Sequence, residues 1–189
     1  YSRFLKVIDS SHESVTSNIT TVEMRRDLRL AISEVAEYAI DFGNEFHVQS
    51  MSGYNIRSSA FRVLNINTDV YLYDTPDSTG EKGQISLFSL DEGSSTPVIQ
   101  RRNIGVIDYK KGRITLDPIN IVSGKTKDNV DILEISATPE SNDIIGLQDL
   151  YLQLDSSFVD MVVDEISSGA DPSGSTYTVT TSYKNGNII

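Results

Sequence analysis

The sequence contains no cysteine, no tryptophan and only two histidines among its 189 residues. Without cysteine the chain can form neither a disulfide nor a thiolate metal site. Lys and Arg number 16 against 27 Asp and Glu, which gives a formal net charge of −11. Binding to a nucleic-acid backbone needs clustered basic residues, so nucleic acid is not an expected partner. No run approaches the roughly 18 apolar residues of a spanning helix, so no membrane partner is expected either.

Metal ligands are equally scarce. His12 and His47 lie far apart in polar segments, which predicts two solvent-facing side chains rather than a metal site. The segment from Asp74 to Glu81 is acidic and turn-like, but Thr75–Pro76 interrupts the alternating oxygen donors of a calcium loop. Aspartate beside proline and glycine is ordinary turn chemistry. We therefore predict no metal site.

Catalytic patterns are absent as well. Asp91–Glu92 and Asp164–Glu165 are carboxylate pairs, but a glycosidase needs two carboxylates facing each other across a cleft, which adjacency in sequence does not indicate. The serines lack a nucleophile-elbow pattern, and no glycine loop has the spacing that cradles phosphate. We assign no catalytic or cofactor-binding residue, expect no cofactor, and expect that the protein is not an enzyme.

The segment from Val22 to Phe42 has two possible structures. Apolar residues from Val22 to Ile32 fall largely on one parity and charged residues on the other, which is typical of a half-buried strand. We predict two strands, Val22–Ile32 and Glu34–Phe42. A helix running to Phe42 is the alternative, because the content of Ala, Glu, Leu and Arg favours helix intrinsically.

A plain hairpin occupies the centre of the sequence. The stretch GVIDYKKGRITLDPINI predicts strands Ile104–Tyr109 and Arg113–Asp117 around a three-residue turn. Gly112 takes the turn position that needs a left-handed backbone, because it has no Cβ to clash there.

The register of this hairpin stays open. One pairing places Ile107 and Tyr109 on the same face as Ile114 and Leu116, whereas a slip of one residue places the pairs on opposite faces. Pro118 limits how far the second strand can pair on one side.

The remaining pattern predicts a mainly β chain with sandwich-like antiparallel sheets and little helix. Further strands are predicted at Ala60–Asn65, Asp69–Tyr73, Ile85–Leu90, Val130–Thr138, Leu150–Asp155, Val159–Ile166 and Thr176–Tyr183. Loops are predicted at His47–Ser59, Asp74–Gly83, Asp91–Pro97 and Ser167–Ser175. A soft boundary near Ser94–Asn103 divides an N-terminal β region, 1–103, from a C-terminal one, 104–189, with two small units or a single domain as alternatives.

Several stretches carry a resemblance to a known family. The central hairpin is similar to the G-x-I-D-Y-x-x-G-x-I-x-L hairpin of baseplate wedge subunits, the gene product six family, of T-even-type contractile-tailed bacteriophages. Ser58–Val63 (SSAFRV), Val70–Gly80 (VYLYDTPDSTG) and Glu140–Asp155 resemble later parts of the same subunit. The likeness covers roughly Val22 to Asp155.

The resemblance implies a structural, non-enzymatic protein of the virion. It implies a C-terminal fragment of a longer subunit that dimerises, joins a ring around the central hub, and contacts other wedge subunits. Its location would be the tail baseplate, assembled in the host cytoplasm, and the family offers no catalytic residues to carry over.

Self-association has a sequence argument of its own. Val159–Ile166 and Thr176–Tyr183 are strand-like but poor in large apolar residues, so a homodimer in which the C-terminal part contributes is expected.

The alternative function is a receptor- or carbohydrate-binding β module of a tail fibre or adhesin. That alternative predicts an exposed aromatic platform, which the absence of tryptophan disfavours. The nine tyrosines are compatible either with interface residues or with simple strand formers.

Overall fold

Two compact units, Tyr1–Asp149 and Leu150–Ile189, make up the chain. The computed structural model describes residues 2–13, 15–91, 93, 96–142, 144, 152–162, 166–170, 176–179, 183–184 and 187–188. The boundary expected near Ser94–Asn103 overlaps a strand that is continuous from Pro97 to Asp108, so the 103/104 division falls inside one secondary-structure element.

The described part of the first unit contains one helix and ten strands. They are α1 (Ser2–Asp9), β1 (Met24–Arg29), β2 (Val35–Asp41), β3 (Ile56–Ser58), β4 (Arg62–Val63), β5 (Tyr71–Pro76), β6 (Lys82–Leu90), β7 (Pro97–Asp108), β8 (Arg113–Ser123), β9 (Lys125–Lys127) and β10 (Val130–Ala137).

These strands form two antiparallel sheets. The six-stranded sheet has the order β2-β8-β7-β6-β5, with β4 also pairing β8. The four-stranded sheet has the order β1-β10-β3, with β9 also pairing β10. The predicted class, mainly β with sandwich-like antiparallel sheets, is confirmed.

A single hydrophobic core draws on both sheets. The four-stranded sheet contributes Met24, Ile56, Leu133, Ile135 and Ala137, and the six-stranded sheet contributes Tyr38, Ile40, Leu72, Ile85, Leu87, Ile107, Ile114, Leu116, Ile119 and Ile121. Alternation along each strand explains this arrangement, because successive side chains point to opposite faces of a sheet.

The two-strand interpretation of Val22–Phe42 is confirmed. Met24 is buried, whereas Arg25, Asp27 and Arg29 are exposed, so β1 covers the core with one face only. The two strands do not pair with each other, because β1 pairs β10 and β2 pairs β8. The intrinsic helix preference of this stretch is overridden by the tertiary pairing of both strands.

The register of the central hairpin is the one with all four apolar side chains inward. Ile107 lies opposite Ile114, and Gly105 lies opposite Leu116, where the β7–β8 ladder ends. On its other side β8 pairs β2 from Arg113 to Asn120, with an irregularity between Leu116 and Ile119 that includes Pro118. The β7–β8 ladder thus stops before Pro118, as expected, but β8 itself continues to Ser123, beyond the predicted strand end at Asp117.

Two loops predicted in the first unit are shorter than expected. His47–Ser59 contains β3 at its end, and Asp74–Gly83 loses its first residues to β5 and its last to β6. The first correction has a tertiary cause, the buried Asp74 side chain that holds the start of β3 against β5. The second follows from the β5–β6 ladder, which continues to Pro76 opposite Gly83. The strands predicted at Ala60–Asn65, Asp69–Tyr73, Ile85–Leu90 and Val130–Thr138 are present as β4, β5, β6 and β10 with shifted ends.

In the second unit, two strand predictions are wrong for the described residues. Residues 152–155 and 159–162 form no strand, and a 3₁₀ turn occupies Ser156–Phe158. Residues 150–151 and 163–165 lie outside the described residues. The unit contains β11 (Ile166–Ala170), β12 (Thr176–Val179), β13 (Tyr183–Lys184) and β14 (Asn187–Ile188), paired β11-β12 and β13-β14. β11 begins at Ile166, the last residue of the predicted strand Val159–Ile166, and continues to Ala170, where Ser167–Ser175 was expected to be loop.

Gly112 gives a direct test of the hairpin turn. Its φ is +62°, and a Cβ placed on it would lie 1.9 Å from the backbone oxygen of Asn44. We expect Gly112→Ala to lower the free energy of unfolding by about 2 kcal/mol or more, because the left-handed backbone alone costs about 1 kcal/mol. Gly93→Ala is the control, since its Cβ would meet nothing closer than 4.0 Å. Equal urea midpoints for the two variants would contradict this geometry.

Candidate functional site

Four aromatic rings lie together on the outer face of the six-stranded sheet. We call Tyr54, Tyr71, Tyr73 and Phe88 the aromatic platform. The ring centroids of Tyr71 and Phe88 are 5.4 Å apart with the planes at 30°, and those of Tyr54 and Tyr73 are 4.5 Å apart. Tyr54 remains 51% exposed and the other three rings are half-buried. The platform is thus accessible to a partner rather than enclosed in the core.

Strand pairing sets the row of side chains on this face. Phe88 lies opposite Tyr71 on β5 and opposite Ile99 on β7, so the three form a line across three strands. Leu90 follows Phe88 on the same face and is exposed, as is Ile99. The aromatic platform therefore continues into an exposed aliphatic region.

A close backbone approach places Tyr54 on this face. Gly53 has φ +99°, and a Cβ there would lie 2.1 Å from the backbone oxygen of Asp74. Tyr54 follows with φ +66°, a left-handed conformation that is unusual for a bulky residue. The Tyr73 hydroxyl donates to the Ser52 backbone oxygen at 2.9 Å and holds the loop in place. Strained backbone of this kind persists only where the surroundings determine it.

The surroundings that determine it centre on the carboxylate of Asp74. Asp74 is fully buried in β5. Its Oδ1 accepts from the backbone N–H groups of Asn55 at 2.8 Å and Ile56 at 3.1 Å. Its Oδ2 accepts from the Asn55 side-chain amide at 2.7 Å and from the Tyr109 hydroxyl at 2.6 Å. Four donors compensate the carboxylate for its lost hydration, as a buried charge requires.

This network joins the two sheets. Asp74 belongs to the six-stranded sheet, Ile56 begins β3 of the four-stranded sheet, and Tyr109 follows the end of β7. Burial, and then the hydrogen bond to Asp74, raises the pKa of the Tyr109 hydroxyl well above its ordinary value. The hydroxyl therefore stays a donor at any physiological pH.

One part of β7 forms an open edge of the sheet next to the platform. Every residue from Pro97 to Asn103 is exposed, although all belong to β7. The β7–β8 ladder covers only Gly105–Asp108, whereas β6 pairs β7 back to Pro97. Among the described strands, none therefore pairs with the other edge of β7 before Gly105. We call Pro97–Asn103 the β7 arm.

The residues considered earlier for metal or catalysis lie elsewhere. His12 and His47 are both exposed, as predicted, and the Nδ1 atom of His47 lies 2.7 Å from a carboxylate oxygen of Glu140. That pair lines a shallow groove of about 390 Å³, together with Lys110 and Glu81, which form an ion pair at 2.6 Å. Among the described residues that line the groove, no nucleophile lies beside a base.

The acidic turn uses its carboxylate internally. Asp77 Oδ1 accepts from the Thr79 hydroxyl at 2.7 Å and from the backbone of Thr79 and Gly80. The Thr79 side chain, with the turn backbone, lowers the pKa of Asp77 below its ordinary value. Within the described part of the chain, no three His, Asp or Glu side chains gather as metal ligands would. Glu92 and the pair Asp164–Glu165 lie outside the described residues.

The comparisons with known proteins add no relative. No protein-family model, no curated protein and no solved structure matches the chain. In the described residues, no helix has the length and apolar content to cross a membrane.

Sequence reasoning missed the aromatic platform, but part of its signal was present. Leu72 and Asp74 point inward, so alternation along β5 puts Tyr71 and Tyr73 outward. On β6, Leu87 points inward, so its neighbour Phe88 points outward in the same way. Only the position of Tyr54 depended on a contact that the local pattern does not encode.

The Tyr109–Asp74 bond predicts a specific pH dependence. Unfolded tyrosine ionises near pH 10, whereas Tyr109 in the folded protein stays protonated because its pKa is raised. Its stabilising contribution is therefore complete below pH 10. Above pH 10 the free energy of unfolding should fall by up to about 1.4 kcal/mol per pH unit from this group.

Urea unfolding between pH 8 and pH 11 measures the effect. Tyr109→Phe should cost about 1–3 kcal/mol at pH 8, because it leaves the buried carboxylate one donor short, and should flatten the decline above pH 10. Tyr71→Phe is the control and should keep the wild-type slope. If the free energy of unfolding falls equally with pH above pH 10 in the wild type and in Tyr109→Phe, the Tyr109–Asp74 bond does not control this pH dependence.

Proposed function

We propose that the chain is a structural subunit of a contractile-tail baseplate, of the wedge type that its sequence resembles. In this proposal it is not an enzyme and needs no cofactor. It dimerises, joins a ring around the central hub, and contacts other wedge subunits in the virion after assembly in the host cytoplasm.

The observation that carries this proposal is a run of exposed apolar side chains in the second unit. Leu152, Leu154, Val159, Met161 and Val162 are 58–91% exposed, and Met161 is the most exposed of them. Large apolar residues concentrated in this way on a surface are typical of sites that another protein covers. An assembly subunit needs such a surface, whereas a catalytic site would need converging polar groups.

The hairpin that carries the resemblance has a role that fits a scaffold. Ile107, Tyr109, Ile114 and Leu116 are almost completely buried, so the motif supplies core packing rather than a binding surface. Its residue types are explained by strand pairing and by the Asp74 network. A rigid interior that presents separate outer surfaces is what repeated assembly requires.

Sedimentation of the 189-residue chain between about 1 and 100 μM tests self-association. We expect a mass that rises toward the dimer, since an interface worth roughly −7 kcal/mol is well populated at the upper concentration. Met161→Ser should weaken the dimer about tenfold or more, because burying a methionine contributes about 1.5–3 kcal/mol.

Ile19→Ser is the matched control. Ile19 is 96% exposed but lies in the first unit, so its replacement should leave the dissociation constant unchanged. A wild-type chain that stays monomeric at 100 μM would overturn self-association. Equal weakening by both substitutions would show that the contact is not specific to the second unit.

The aromatic platform favours a second candidate, the receptor- or carbohydrate-binding module. Exposed aromatic rings can stack on the apolar faces of sugar rings, and the tyrosines supply the platform despite the absence of tryptophan. On this alternative, at least one oligosaccharide in a screen of neutral oligosaccharides should bind the wild-type protein. Its binding should be lost in the Tyr54→Ala variant and retained in Met161→Ser. Absence of binding across the screen, together with concentration-dependent dimerisation, would leave the scaffold as the function.

A further inference from the structure

We propose that the β7 arm accepts an added β-strand from a second copy of the chain, and that residues 159–162 of that copy form the strand. The inference rests on the self-association proposed above and specifies the contact that produces it. Strand addition of this kind uses backbone hydrogen bonds for affinity and alternate side chains for specificity.

The arm has an edge that is ready to pair. Its residues are held extended by β6 on one side, while no described strand pairs with them on the other. Pro97 bounds this edge at one end and Asn103, with φ +54°, bounds it at the other. The five residues Val98–Arg102 between them span about 17 Å, enough for a short added strand. A long exposed edge of this sort pairs readily with another chain unless it is covered.

The outer face of the arm is apolar, so an apolar side chain of a partner strand would fit against it. Ile99 ends the row that begins at Tyr71 and passes through Phe88, and it is 38% exposed. A strand added beside β7 would place one side chain about 5 Å from Ile99 and extend this row. An apolar residue at that position would cover Ile99 and remove apolar surface from water.

The other face of the arm carries positive charge that an acidic side chain would complement. Arg101 lies opposite Leu87 in the β6–β7 ladder and Ile99 lies opposite Phe88, with an irregularity of the register between the two pairs. Because this bulge interrupts the regular alternation, Arg101 takes the face of Leu87, whereas Ile99 takes the opposite face with Phe88. Neither Arg101 nor Arg102 has an ion-pair partner among the described residues, in a chain whose net charge is −11.

Residues 159–162 have the matching chemistry. They read Val-Asp-Met-Val, so apolar and acidic side chains alternate, with Val159 and Met161 on one parity and Asp160 on the other. They form no strand or helix, and Val159 already has an extended backbone (φ −85°, ψ +114°). Met161 or Val159 can extend the row at Ile99 while Asp160 approaches Arg101.

Charge argues against the other open edges. At β2, Glu37 and the preceding Glu34 would repel the acidic segment, and Asp41 is already paired with Arg113. At β1, Arg25 is already paired with Asp27 and Glu134, and none of its exposed residues is a large apolar one. Of the described edges, the β7 arm alone combines exposed aliphatic side chains with unpaired arginines.

A charge-reversal exchange tests the proposal. Arg101→Glu and Asp160→Arg are made in separate chains, and the dissociation constant is measured by sedimentation for each alone and for their equimolar mixture. Each variant alone should dimerise about tenfold or more weakly than wild type, because like charges then face each other. The mixture should recover dimerisation, since both contacts between unlike chains are again of opposite charge.

The controls separate this inference from the proposal on which it rests. Arg29→Glu reverses an exposed arginine outside the arm and should dimerise as wild type does. A dimeric wild type with no weakening in Arg101→Glu would overturn the β7 contact while leaving self-association intact. A monomeric wild type would overturn both. If dimerisation recovers in a single chain that carries both Arg101→Glu and Asp160→Arg but not in the mixture of the two variants, the contact is intramolecular. That result also contradicts the proposal.

Hydrogen exchange tests strand addition directly, because a nonspecific charge effect on dimerisation would not slow the exchange of backbone amides in the arm. Backbone amides between Val98 and Arg102 should exchange more slowly at 100 μM than at 1 μM, because the added strand takes up part of them. Amides of β2 should show no such change. Protection at β2 instead of the arm would place the interface elsewhere and overturn the assignment.

Discussion

A carboxylate buried between two sheets is the constraint on which the rest of the first unit depends. Asp74 accepts four hydrogen bonds, and its donors come from the start of β3, from the Asn55 side chain and from the residue that follows β7. An unpaired buried carboxylate would cost several kcal/mol, so all of these segments must be in place together. The network therefore couples the position of a surface loop to the packing of the core. It explains why a serine-rich stretch is ordered against the sheet.

The outer surfaces follow from that interior. Because Gly53 lies against the backbone of Asp74, the ring of Tyr54 packs on Tyr73 and Phe88 while half of the residue stays exposed. The row from Tyr71 through Phe88 then reaches Ile99 in the β7 arm. The same face thus carries an aromatic platform at one end and an open strand edge at the other.

The sequence predicted the elements whose cause is local and missed those whose cause is distant. Alternation identified β1 and β2, and Gly112 identified the hairpin turn, because side-chain parity and a left-handed backbone can be read within a few residues. Only the structure decided the hairpin register, since the burial of Tyr109 depends on Asp74, 35 residues away. β3 was missed for a similar reason, because Asn55 and Ile56 are held by a carboxylate 18 or 19 residues further on. Residues 159–162 were predicted as a strand from their alternation, yet no described neighbour pairs with them.

The continuity of β7 has a mechanical consequence. One uninterrupted strand forms the exposed arm and then passes between β6 and β8 in the interior. A pull on the arm along its own direction would load the hydrogen bonds of the β6 and β8 ladders in shear, so that many must break at once. A pull across the strand would instead peel the same bonds apart one after another at much lower force. The direction in which a neighbour draws on the arm would therefore decide whether the first unit bears tension or yields to it.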